Sequence, residues 1–387
     1  MKILYVTTIS NTVNTFLIPH IQLLVEQGHQ VDMAFNIVQE VNPELIKMGC
    51  KIHNIEFQRS PLDRKNYLAY KNLKKLIKNE GYDLIHTHTP VASACVRLAC
   101  KKMQGVKVIY TAHGFHFFKG APLINWLVYY PIEKCLAKYT DILITINKED
   151  YNRAKSSFKA DRVVYIPGVG LDTQRFDTIL VDKSLKRKEL GLPEDAVIIL
   201  SVGELNKNKN HETVIRALAK LNNPAIYYVI CGRGPLEDNL RSLSKELGLE
   251  NRVKLLGYRK DIIEICKAAE IFVFPSFREG LSVALMEAMA CGLPVICSDI
   301  RGNRDLMENS ESGQLVKPND FEEFAKSINK VLMCNGNRID VNNKEAIKAF
   351  DIRNIVQRMQ EIYSQVQLDK TSNEILTKDK DYREGEV

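Results

Sequence analysis

Residues 271–299, IFVFPSFREGLSVALMEAMACGLPVICSD, carry the reading that decides the fold. The runs IFVFPS and PVICSD are short, apolar and rich in β-branched and aromatic residues, as buried strands are. Between them Val283–Ala290 reads as a helix, bracketed by turn chemistry at Gly280 and at Gly292-Leu293-Pro294. Strand, helix and strand in this order return the chain to the edge where it started. The two strands therefore run parallel, with the helix covering one face.

The same alternation extends outward in both directions. Upstream lie KILYVT, VDMAF, KIHNI, DLIHTH, KVIYTAH, DILITIN and RVVYIP, then VIILSVG, IYYVICG and VKLLG; GQLVKP lies downstream. Amphipathic stretches such as 16–26, 66–79, 91–103, 212–221, 236–247 and 261–268 separate them. The pattern lapses near PGVGLDTQRF, so two series are joined there, and each predicts a doubly wound α/β domain. The expected architecture is two Rossmann-like domains facing a cleft, residues 1–177 and 178–350. A helix over 351–368 has one apolar face (Ile352, Ile355, Val356, Met359, Ile362, Tyr363 and Val366), and the polar stretch 369–387 is expected to be a mobile tail.

With 387 residues the chain is long enough for two cores. Nine cysteines form no C-x-x-C pair and no zinc-like cluster, which suits reduced thiols in the cytoplasm. No run approaches the roughly 18 apolar residues of a membrane span. Residues 1–177 carry 23 Lys and Arg against 15 Asp and Glu, and the remainder carries 31 against 32. A basic first half suits an anionic partner such as a phosphate-bearing acceptor or a lipid headgroup.

Open parallel sheets bind ligands at the carboxyl ends of their strands. Glu279 lies in the turn before the helix that opens near Leu281, and Glu287 about one turn inside it. The backbone N–H groups over 281–283 have no helical partners and would seat a phosphate. Ser282 is either the cap of this helix or a phosphate contact. On the residues alone, Glu279 could equally complement the helix dipole and Glu287 make a surface pair. Lys209, after VIILSVG, supplies a cation, with Arg233 and Arg259 as further candidates.

In this order the VG-x-L-x-x-x-K turn, CGRGP, GYRKDI, EGLSVALME and ACGLPVICSD resemble the retaining GT-B glycosyltransferases of family 4, in particular those of bacterial capsule and exopolysaccharide biosynthesis. The resemblance implies that Glu279 contacts the donor sugar and Glu287 the ribose, while Lys209 neutralises the pyrophosphate. Gly203, Gly280, Leu281 and Ser282 would line the donor site, and the backbone around Gly232, Arg233, Tyr258 and Arg259 the base pocket. His113 matches the histidine placed beside the transferred sugar; its position alone would equally suit a structural histidine. Ser10 and Asn11 in TTISNTVNT, with His86 and His88, fall on the acceptor side. Two departures stand out: Glu204 replaces a usual arginine, and the first loop lacks the usual Gly-Gly pair.

The function expected is hexosyl transfer from a nucleotide sugar, UDP preferred, to a glycan or lipid-linked acceptor in cell-surface polysaccharide biosynthesis. The resemblance implies retention; no cofactor and no nucleic acid are expected, and no metal, since no D-x-D occupies a strand-end loop and no His/Asp cluster has ligand spacing. The aromatic segment 115–130 (FHFFKGAPLINWLVYY) could dock peripherally at an anionic membrane, or form core and rim. Rival readings are a nucleotide-sugar 2-epimerase and a catalytically silent sugar-nucleotide binding protein.

Overall fold

The structure is a computed structural model that describes residues 1–310, 313–333 and 339–384. The chain forms two units, residues 1–170 with 353 onward, and Leu171–Ile352.

In the first unit β1 (Lys2–Ile9), β2 (Gln30–Asn36), β3 (Ile52–Asn54), β4 (Leu84–His88), β5 (Lys107–Ala112), β6 (Ile142–Thr145) and β7 (Arg162–Tyr165) make one parallel sheet. Their order is β3-β2-β1-β4-β5-β6-β7. Along β1, Ile3 and Tyr5 enter one hydrophobic core while Leu4 and Val6 enter the other. That two-faced burial is why the strand reads as a continuous apolar run rather than an alternating one.

The second unit repeats the plan with β8 (Val197–Val202), β9 (Ile226–Cys231), β10 (Val253–Leu255), β11 (Ile271–Phe274), β12 (Val295–Ser298) and β13 (Gly313–Val316). They are ordered β10-β9-β8-β11-β12-β13. Ile198 and Leu200 of β8 pack on one face and Ile199 on the other. Strand order reverses between β1 and β4 in one sheet and between β8 and β11 in the other. The carboxyl ends of these strand pairs are where a doubly wound sheet opens a crevice.

Three details depart from the sequence reading. The first unit ends at Gly170 rather than 177, because Leu171 and Phe176 bury in the second core. Leu171 also exchanges backbone hydrogen bonds with Phe350 and Ile352, which ties the entry of the second unit to its exit. The expected first loop is instead helical from Ser10, directly after β1, with a π-helical turn over Val13–Leu17. Finally, the last helix runs Ile352–Glu384, through most of the stretch read as a tail. No glycine or proline interrupts those residues, so nothing in the backbone stops the helix. The remainder of that tail, 385–387, lies outside the described residues, as does Cys334.

Candidate active site

At the switch point of the second sheet, the turn after β8 is stitched to the turn after β11. Phe277 N donates to Asn208 O (2.8 Å), and Asn208 Nδ2 donates to Arg278 O (2.9 Å). Asn210, in the left-handed region, donates through Nδ2 to Pro275 O (3.1 Å) and Pro318 O (2.8 Å). This frame holds Lys209 Nζ 2.7 Å from Glu279 Oε1, both side chains largely shielded from solvent. The ammonium also lies 4.7 Å from the centre of the Phe274 ring. Lysine has three N–H donors, so one carboxylate contact leaves others for an anion.

Glycines shape this edge by what they leave out. A Cβ on Gly232 would stand 1.8 Å from Gly203 O, and one on Gly302 would stand 2.1 Å from Gly280 O. Backbone therefore touches backbone at both places. Arg301, buried at the start of the helix Arg301–Met307, donates through Nε to Glu279 O (3.1 Å) and fixes the turn carrying the carboxylate.

Ser282 caps the helix Val283–Ala290, its Oγ accepting from Leu285 N at 3.4 Å. One turn into that helix, Glu287 is half-buried and its carboxylate makes no hydrogen bond or ion pair among the described residues. Burial pushes its carboxyl up to about 7 despite the opposing pull of Arg175. An unpartnered acceptor of this kind, eight residues beyond Glu279, is suited to hydroxyl groups.

The first unit gathers histidines behind β4 and β5. His88 Nδ1 lies 3.0 Å from His113 Nε2. His86 is held at both ring nitrogens, Nδ1 by the Tyr363 hydroxyl (2.7 Å) and Nε2 by Thr111 Oγ1 (2.8 Å). His20, His86, His88 and His113 share a small cavity with Tyr5 and Thr111. Burial first, and the neighbouring imidazole of His20 second, hold His113 down at about 4, so it is neutral near pH 7.

Among the described residues no group of three or more His, Cys, Asp or Glu could hold a metal ion. No helix among them is long and apolar enough to cross a membrane.

Residues 182–348 match the family model of glycosyl transferases group 1, and residues 2–147 match that of glycosyl transferase 4-like proteins. The chain is 37% identical to the protein named "Putative glycosyltransferase EpsD" of Bacillus subtilis, over 94% of this chain and 96% of that one. This chain belongs to the group 1 glycosyltransferases. The transferase is also 32% identical to UDP-Gal:alpha-D-GlcNAc-diphosphoundecaprenol alpha-1,3-galactosyltransferase of Escherichia coli, over 77% of this chain and 79% of that one. Its fold is the GT-B type. A similar solved structure is Anabaena Alr3699/HepE in complex with UDP and glucose, with a TM-score of 0.76 at 21% identity over 94% and 100% of the two chains.

Within the transferase, Lys209 meets Glu279, Gly203 lies beside Lys209 and against Gly232, and Gly280 and Leu281 lie against Gly302. Tyr258 is exposed, and Arg233 is exposed without an ion pair among the described residues. Arg259 is engaged elsewhere: its guanidinium pairs with Asp261 (2.6 Å) and Glu189 (2.8 Å), so its charge is already neutralised. Ser282 is used as the cap. Glu204 is exposed and accepts from Asn206 Nδ2 (2.9 Å), whose Oδ1 in turn accepts from Lys209 N (3.0 Å).

On the acceptor side the structure corrects two residues. Ser10 is fully buried, donating to Gln39 O and accepting from Val38 N and Gln39 N. His86 has both nitrogens occupied. Both therefore brace the first unit rather than face a ligand. Asn11 is half-buried, and its Oδ1 has no hydrogen-bond partner among the described residues.

Sequence reading passed over Arg301 and the pairing of His88 with His113. The position of Arg301 directly after β12 was its one visible signal. The histidine pair joins two strands 25 residues apart, which no local pattern encodes.

Proposed function

We propose that this glycosyltransferase moves a sugar from a UDP-sugar to a lipid-linked acceptor in cell-surface polysaccharide assembly, with retention and without a metal. The observation that carries this reading is the Lys209–Glu279 pair at the second switch point, with unpartnered Glu287 in the adjoining helix. The diphosphate takes the free donors of Lys209 and the N–H groups ahead of Val283. Glu279 accepts from sugar hydroxyls and Glu287 from the ribose. In the transfer the anomeric C–O bond to phosphate breaks and the acceptor oxygen bonds to the same carbon on the same face. The acceptor proton passes to the departing phosphate oxygen, so charge is stabilised by the protein's cation and not by a metal. Neutral His113 serves a hydroxyl of the transferred sugar. UDP is favoured by the base in the name of the Escherichia coli relative and in the HepE complex.

A lipid-linked acceptor suits the first unit. The helix Leu123–Ala137 leaves Leu123, Ile124, Leu127, Val128 and Ile132 exposed, the reverse of an ordinary surface helix. Ile124, Val128 and Ile132 border a cavity of about 850 Å³ that begins at Thr8 and Thr89, on the first switch point. Such a face, in a stretch 1–177 that carries 23 Lys and Arg against 15 Asp and Glu, fits an anionic bilayer carrying the acceptor.

The test is transfer from a panel of UDP-sugars to a diphosphopolyprenol-linked sugar, with the product anomer read by NMR. We expect retention, activity unchanged by EDTA, and a loss of about 10²–10³-fold in kcat for Lys209→Ala. Inversion, loss of activity with EDTA, or a fully active Lys209→Ala enzyme would each overturn the reading.

A further inference from the structure

His20, His88 and His113 of the first unit line one cavity, and of the three the reaction as written uses only His113. His20 Nε2 lies 3.3 Å from Val169 O, a carbonyl that can only accept, so this nitrogen carries the proton and Nδ1 is left as a bare acceptor. That Nδ1 is buried and has no partner among the described residues; nor has the buried Nε2 of His88. Both rings are more than nine-tenths buried, and both line the same cavity, with room of about 20 Å³. A water needs roughly 10–15 Å³ and two or more polar partners.

We infer that a buried water in this cavity donates to His20 Nδ1 and His88 Nε2, making His88 the positioning residue that sets the tautomer of His113. The consequences follow atom by atom. With Nε2 accepting, neutral His88 must carry its proton on Nδ1 and donate it to His113 Nε2. His113 then carries its own proton on Nδ1, the ring nitrogen for which the fold supplies no partner among the described residues. His113 thus presents an N–H donor where an unrestrained imidazole would interconvert between two forms. Burial holds all three imidazoles neutral, which keeps the arrangement intact at neutral pH.

The role of the N–H toward the transferred sugar rests on the function proposed above; the tautomer itself does not. Its direct test is long-range ¹⁵N–¹H NMR on histidine-labelled full-length protein, in which His113→Gln identifies the resonances. The expected result is His113 protonated on Nδ1 and His20 on Nε2. Finding His113 protonated on Nε2 overturns the proposal whether or not a substrate is known.

The kinetic test compares His88→Asn, whose amide can donate in place of Nδ1–H, with His88→Leu, which cannot. His88→Leu should lose about 100-fold in kcat with the donor KM unchanged, and His88→Asn should regain most of it. A merely structural role predicts equal losses tracking melting temperature, and that outcome, like a fully active His88→Leu enzyme, sinks the positioning role. If the wild type transfers no sugar, the functional reading fails while the NMR result still decides the tautomer.

Discussion

Glu287 shows how burial gives a single carboxylate two opposed effects. Its native value near 7 lies above the ordinary 4.5, so the folded chain holds a proton that the unfolded chain has released. Its contribution to stability is therefore greatest at low pH and is lost as pH rises from 4.5 through about 7. Ribose recognition runs the other way, because the ionised carboxylate is the stronger acceptor. UDP-glucose is a suitable probe, since its diphosphate has no proton to lose near pH 7. We expect its affinity to rise between pH 6 and 8, and the rise to vanish in Glu287→Gln. The same variant should lose less melting temperature than the wild type over that interval. An unchanged pH dependence of binding in Glu287→Gln would remove Glu287 from the donor site.

Elements place these residues by close backbone approach. The ends of β8 and β9 touch through Gly203 and Gly232, and Gly232 N also donates to Gly257 O (2.8 Å) beyond β10. A methyl at 232 meets carbonyl oxygen rather than a flexible side chain, so the strands themselves must part. Gly232→Ala should cost about 1–3 kcal/mol in denaturant unfolding and weaken nucleotide binding along with it. Wild-type values for both would show that the two strand ends are less tightly apposed. At this scale the sequence is legible: each of the thirteen apolar runs quoted above overlaps one strand of the structure. Parallel strands buried on both faces cannot disguise themselves as polar. The segment 115–130 was less legible, because Pro131 sits inside the helix Leu123–Ala137 and breaks the pattern expected of one.

At the scale of the whole molecule, the chain leaves its first unit at Gly170 and completes it only after Ile352. Ile355, Met359, Ile362, Tyr363 and Val366 enter that core, and the Tyr363 hydroxyl bonds both Tyr5 and His86. Burying each such side chain is worth about 1.5–3 kcal/mol, so the five together rival the 5–15 kcal/mol that holds a domain folded. A chain ending at residue 351 should fail to give a cooperative melt of its first unit. One ending at Lys370, which keeps the Lys370–Asp83 pair, should melt within a few degrees of the full chain. A chain stopped at 351 that melted normally would show the last helix to be dispensable.

The sequence alone determined the two parallel sheets and the spacing of Glu279 and Glu287, since apolar runs and residues on one turn and helix are local facts. It also offered Lys209 as a cation after β8, though its role came only through the order of motifs. Tertiary structure decided the rest: that Lys209 meets a carboxylate 70 residues away, that Arg259 is consumed by Asp261 and Glu189, that Ser10 and His86 are braces, and that His88 stands behind His113. Burial and partner are properties of where the chain returns in space, and a side chain's charge state and free valence follow from them.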